Sequence, residues 1–175
     1  LLFSSSGLDV EDLHDIIGTY RRCVVDIFST RQGTVGKHSG NTLVVHFGYP
    51  VAHEDDAEQA VRAALDLCAA VRKLPAHCGL TFRCRAGIAT GLAIVGGPIT
   101  SGGVDDGGIV GEALAMAGRL QVCAEVGAVV IDNATRRLIA DLFTYRDFGP
   151  VVTAPGAEPI DAWQVLGASG VDSRF

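Results

Sequence analysis

Apolar and polar positions change their period several times along the chain. "LDVEDLHDIIGTYRRCVVDIFSTRQG" sets Leu13, Ile16, Ile17, Tyr20, Val24 and Ile27 at helical spacing and stops at Gly33. "LLF" before it reads as a strand fragment. "TVGKHSGNTLVVHFG" then predicts a hairpin, two β-rich stretches around the turn Ser39-Gly40-Asn41. "HEDDAEQAVRAALDLCAAVRKL" predicts an amphipathic helix with acids at its start and bases at its end, as the helix dipole favours. "LTFRCRAGIATGLAIVGG" alternates, breaks at Gly91 and resumes, which predicts a second hairpin. "GGIVGEALAMAGRLQVCAEVG" predicts a helix rich in small residues, able to pack close to a neighbour. "AVVID" reads as a strand, "NATRRLIADLF" as a helix capped by Asn133, and "YRDFGPVV" with "IDAWQVLG" as two closing strands. The order β-α-β-β-α-β, with an additional helix and strands, predicts an α/β fold of the ferredoxin-like sandwich type. The expected domain covers residues 1–167, and 168–175 form a disordered tail.

Composition narrows the partners. At 175 residues the chain is most simply one domain, and 48% hydrophobic against 19% charged residues is a globular balance. The net charge is -6 with no block of Lys or Arg, which argues against a nucleic-acid partner but leaves room for one nucleotide in a locally basic pocket. No apolar run approaches the roughly 20 residues of a membrane span and no signal peptide opens the chain, so a cytoplasmic protein is expected. Cys23, Cys68, Cys78, Cys84 and Cys123 are odd in number and lack CxxC pairing, so reduced thiols are expected rather than zinc or disulfides. His38, His46 and His53 are expected to be structural, since His46 falls within an apolar run and His53 precedes a helix. The glycine-rich "GGPITSGGVDDGG" lacks the lysine of a P-loop, and Ser4, Ser5 and Ser6 have no acid-base partner nearby in sequence.

Several blocks, in order, carry a resemblance. "KHSGNTLVVHFGYPVAHEDDAEQAVRAALDL", "RCRAGIATGLAIVGG", "IVGEALAMAGRLQVCAEVGAVVIDNATRRL" and "YRDFGPV…EPIDAWQVLG" resemble the catalytic domain of class III adenylyl and guanylyl cyclases, in particular the bacterial branch with "FGYP…HEDDAE". The resemblance spans nearly the whole chain. It implies cyclisation of ATP or GTP, with the 3′-hydroxyl attacking the α-phosphate and pyrophosphate leaving, Mg²⁺ or Mn²⁺ as cofactor, and a site shared between two subunits.

Residue by residue, the resemblance is incomplete. The family's first metal aspartate follows the opening strand, but here Phe3 runs into "SSSGLDVEDL" without that acidic loop. Its second stands at the hairpin turn, where this chain has Asn41, an amide that supplies no charge to a hard cation. Lys37 matches the lysine that reads the purine edge. The second purine-reading position falls on Gly108, with Asp105 and Asp106 just upstream and Asp106 the candidate to replace it. The ribose-orienting asparagine is Ala115, and the arginine that binds phosphate in the transition state is retained as Arg119. The triphosphate-gripping lysine is Ala154. This pattern implies an impaired domain in cyclic-nucleotide signalling, acting as a regulatory, dimerising or nucleotide-sensing module and expected to be a homodimer. The alternatives are an active adenylyl cyclase making cyclic AMP and pyrophosphate, or one half of a heterodimer.

Overall fold

The computed structural model describes residues 20, 22–39, 42–74, 83–95, 109–152 and 158–170, with the backbone alone for 37–39. Helices alternate with short strands, the ferredoxin-like α/β class that the sequence predicts. The described residues fall into two compact units that divide between Arg85 and Ala86. The expected strand at Leu1–Phe3 and the start of the first helix lie outside the described residues.

The first unit begins with helix α1 over residues 22–30. Tyr20, Val24 and Phe28 recur every fourth position and are buried, as one face of a helix requires. The Phe28 ring meets Phe47 edge-on at 6.3 Å between centroids. Strands β1 (Thr34–Ser39) and β2 (Thr42–His46) form the predicted antiparallel hairpin. Between matched pairs, β1 advances from Val35 to His38 while β2 advances only from Val45 to Leu43, so β1 carries one extra residue, a bulge at Gly36–Lys37.

Helix α2 (Asp56–Lys73) follows, with Asp56 and Glu58 in its first turn and Arg72 and Lys73 in its last. The Asp56 carboxylate accepts the His53 backbone N–H at 2.7 Å. Its apolar stripe, including Val61, Ala64, Leu67, Cys68 and Val71, is buried. Just beyond α1, the Arg31 guanidinium donates to Asp66 Oδ2 at 2.6 and 3.0 Å and to Gln59 Oε1 at 3.1 Å, tying that end to α2.

The second unit is built on a four-stranded sheet in the order β3-β6-β8-β7. These strands are β3 (Ala86–Ile88), β6 (Val129–Asp132), β7 (Phe143–Val152) and β8 (Pro159–Ala168). Only β3 and β6 run parallel. Helix α3 (Glu112–Cys123) lies on β3 and β6, and its Leu120, with Ala124 just beyond it, joins Val130, Val151 and Ala162 in one core cluster. Trp163, one residue from Ala162, projects to the other sheet face, where Arg136 of helix α4 (Asn133–Ile139) lies 5.7 Å from its ring. The helices therefore cover opposite faces.

Two sequence expectations are corrected here. The stretch around Gly91 is not a hairpin: β3 pairs with β6, while β4 (Ile94–Val95) pairs antiparallel with β5 (Ile109–Val110). Alternation marks a strand but says nothing of which strand lies beside it. The cap of α4 is Asp132, not Asn133, because the Asp132 carboxylate accepts the Thr135 N–H at 2.8 Å. Strand β8 also continues through Ala168, and the Ser169 N–H donates to the Leu142 carbonyl at 2.9 Å. The start of the expected tail is thus tied down, and residues 171–175 lie outside the described residues.

Candidate functional site

Helix α3 carries the part of the site that the structure describes in full. It begins at Gly111, whose φ of 155° and tight surroundings both exclude a side chain, since an added Cβ would lie 2.7 Å from the Leu92 carbonyl oxygen. The chain leaving β5 is thereby pressed against residues 92–93 before it turns into the helix. The Ala115 N–H donates to Gly111 O at 3.2 Å and fixes the first turn.

Ala115 and Arg119 are four residues apart on α3 and both exposed, so they share one stripe of the helix surface. The Arg119 guanidinium has no ion pair or hydrogen bond among the described residues. Arg31 and Arg62 differ, being held by Asp66 and Glu58. Arg119 can therefore offer its planar donors to an anion such as phosphate. One turn earlier, the Ala115 methyl can contact a sugar but cannot hydrogen-bond it.

The other side of α3 explains why the helix stands where it does. An added Cβ on Gly87 of β3 would overlap the Ala117 carbonyl oxygen and the Gln121 amide nitrogen, and would lie 2.9 Å from Gln121 Cα. The small-residue helix does pack close to its neighbour, and a strand glycine makes that approach possible.

Of the remaining expected positions, Lys37 lies in the β1 bulge, a feature that re-aims side chains, although its own side chain is not described. The β1–β2 ladder closes at Ser39 opposite Thr42, and Asn41 between them lies outside the described residues, as do Asp105, Asp106, Gly108 and Ala154. Of the sequence-derived positions, then, the structure brings together Ala115 and Arg119. Among the described residues no group of three or more His, Cys, Asp or Glu side chains could hold a metal ion. His53 instead approaches Asp56 at 3.5 Å. His46 is half-buried with Nδ1 unpartnered, and burial lowers its pKa below the ordinary imidazole value.

Sequence reasoning missed one surface feature. Leu92 is 92% exposed, Ile94 71% and Val110 55%, and Ile94 stands directly opposite Val110 across the β4–β5 ladder. Their apolar character gave no sign of this, since such side chains are more often buried. Among the described residues no helix is long and apolar enough to cross a membrane.

Known proteins share this fold. No family model matches the chain. An uncharacterized protein of Rhizobium meliloti (strain 1021) is 28% identical over 170 residues, which cover 96% of this chain but 16% of that protein's length. The chain therefore spans about one sixth of the curated relative that it matches. Among solved structures, the adenylyl cyclase CyaB from P. aeruginosa is 26% identical with a TM-score of 0.79, the match covering 93% of this chain and 86% of that one. The guanylate cyclase domain of RhGC from Catenaria anguillulae, solved in complex with GTP, shares the fold with a TM-score of 0.82 at 19% identity, covering 94% of this chain and 89% of that one. The chain thus has the fold of the catalytic domains of class III adenylyl and guanylyl cyclases and is similar in sequence to one of them.

Proposed function

We propose that this domain binds a purine nucleoside triphosphate, ATP or GTP, and pairs with a second copy, but cyclises the nucleotide weakly or not at all. Its role would then be regulatory, in cyclic-nucleotide signalling. The observation that carries this reading is the exposed stripe of α3, where Arg119 has no partner among the described residues and the preceding turn presents only the Ala115 methyl. Phosphate binding keeps its donor, whereas ribose orientation has lost its hydrogen bond.

The donor set fits metal chemistry poorly. An amide, Asn41, stands where the family resemblance places a carboxylate, and it supplies no charge to a hard cation. Losing one preorganised polar group of a transition state typically costs about 10²–10³ in rate. Losses at Asn41, Ala115 and Ala154 together remove most of what the reaction needs, although such effects do not simply add. For pairing, the exposed Leu92, Ile94 and Val110 supply an apolar strip that a second copy would cover.

A fluorescent ATP or GTP analogue titrated into the purified chain tests binding, and cyclic nucleotide measured with Mn²⁺ tests turnover. Binding without turnover is expected, and Arg119→Ala should weaken binding about tenfold to a hundredfold, the range for a hydrogen bond to a charged group. Asn41→Asp alone should leave turnover absent. Robust cyclic AMP or cyclic GMP production that Arg119→Ala abolishes would overturn the impaired reading.

A further inference from the structure

Three cysteines distant in sequence gather in the first unit. Cys23 lies on α1, Cys68 on α2 and Cys84 on the segment entering β3. Tyr20 neighbours all three. Cys68 and Cys84 are 5% and 9% exposed, and their side chains are hydrogen-bonded to each other. No disulfide joins them. Two adjacent thiols from separate elements go beyond what a buried apolar cysteine needs for packing, and the nucleotide site does not use them.

We propose that Cys68 and Cys84 form an oxidation-responsive dithiol, which a peroxide closes to a disulfide that ties α2 to the segment before β3. The roles of the two sulfurs are unequal. Cys84 accepts the hydrogen bond from the Cys68 thiol, and this holds its pKa below the ordinary thiol value although burial opposes it. Cys68, as donor and buried, is pushed far above that value. Burial and the nearby Asp26 raise Cys23 as well. Cys84, the more exposed of the two, is the sulfur that a peroxide reaches first and so the nucleophile, with Cys68 the resolving thiol.

The chemistry balances in two displacements. The Cys84 thiolate attacks one peroxide oxygen, the O–O bond breaks, and after protonation one water leaves a sulfenic acid on Cys84. The Cys68 sulfur then attacks the sulfenic sulfur; the S–S bond forms, the S–O bond breaks, and a second water departs with the Cys68 proton. Two thiols and one peroxide give one disulfide and two waters, two electrons passing from sulfur to oxygen.

The test treats the native chain with hydrogen peroxide, blocks remaining thiols with N-ethylmaleimide in denaturant, and maps tryptic peptides without reduction. Cleavage after Arg62, Arg72, Arg83 and Arg85 puts Cys68, Cys78 and Cys84 on separate peptides. The expected result is a Cys68–Cys84 linked peptide, lighter than its reduced parts by about 2 Da. It should be enriched about tenfold or more over the chain oxidised in denaturant, because the fold raises the effective concentration of the pair. Cys68→Ser should stop at a Cys84 sulfenic acid that dimedone traps, and Cys84→Ser should leave Cys68 reduced at the same dose. Absence of the linked peptide from the wild-type chain, equal yield from the denatured chain, or a dominant link to Cys23, Cys78 or Cys123 would each overturn the proposal.

Discussion

Adding one methyl group at Gly87 tests how α3 is seated. In Gly87→Ala the new Cβ meets backbone only: the Ala117 carbonyl oxygen, the Gln121 amide nitrogen and, at 2.9 Å, the α-carbon of Gln121. No flexible side chain can turn aside. Non-bonded carbons sit about 3.5–4.0 Å apart, so the clash with that α-carbon alone demands a retreat of roughly 0.6–1.1 Å by the helix. That retreat draws Leu120, 0% exposed, and Ala124 away from Val130, Val151 and Ala162. A gap of about 0.5–1 Å forfeits roughly a quarter to a half of the attraction between each pair of atoms. Overpacking typically costs about 1–3 kcal/mol, and rigid backbone neighbours put this site at about 3 kcal/mol or beyond.

For a chain of this length about 1 kcal/mol moves Tm by roughly 2–4 °C, so Gly87→Ala should lower Tm by about 6–12 °C in thermal unfolding followed by circular dichroism. Gly118 is the internal control. It lies exposed on the same helix, and a Cβ there meets nothing within 4 Å. Gly118→Ala should therefore gain the helix-propensity difference, about 0.8–1.0 kcal/mol, and raise Tm by a few degrees. Opposite signs from the same substitution at these two positions follow only if α3 lies against β3 as described. A Gly87→Ala protein as stable as wild type would refute the seating.

Three other outcomes are expected. Asp132→Ala removes the acceptor for the Thr135 N–H and should cost about 1–2 kcal/mol in urea unfolding, with Asp132→Asn recovering most of it. Ile94→Asp should shift the sedimenting species toward monomer without changing the far-ultraviolet spectrum; an unchanged oligomer would remove the β4–β5 strip from the interface. His46, its pKa lowered by burial, binds a proton less readily when folded than when unfolded. Stability should therefore fall as pH drops from about 6.5 toward the lowered value, and His46→Phe should flatten that fall between the same two pH values.

What could be read from the sequence was local. Helix α2 was visible because its apolar spacing, acidic start and basic end lie within one continuous stretch. The Ala115–Arg119 stripe was visible because residues four apart on a helix are neighbours in space. Strand partnership was not: the residues of β3 look no different whether they pair with β4 or with β6. Asp132 and Asn133 are both good caps, and only the bond to Thr135 distinguishes them. The bulge at Lys37 and the Cys68–Cys84 pair were equally hidden, since each depends on the register or approach of a second element.

The two sides of α3 are under different physical constraints. Placement of the helix rests on Gly87, Leu120, Ala124 and the turn at Gly111, where added atoms or lost packing cost stability directly. Ala115 and Arg119 face solvent and hold nothing in place within the described residues. Replacing a ribose-orienting amide by alanine at such a position costs the fold nothing and even favours the helix. Stability therefore preserves one face and is indifferent to the other, which only ligand binding can constrain. Under the proposed function, Arg119 is the residue of this face that nucleotide binding would constrain, whereas the Ala115 methyl offers a ribose no hydrogen bond.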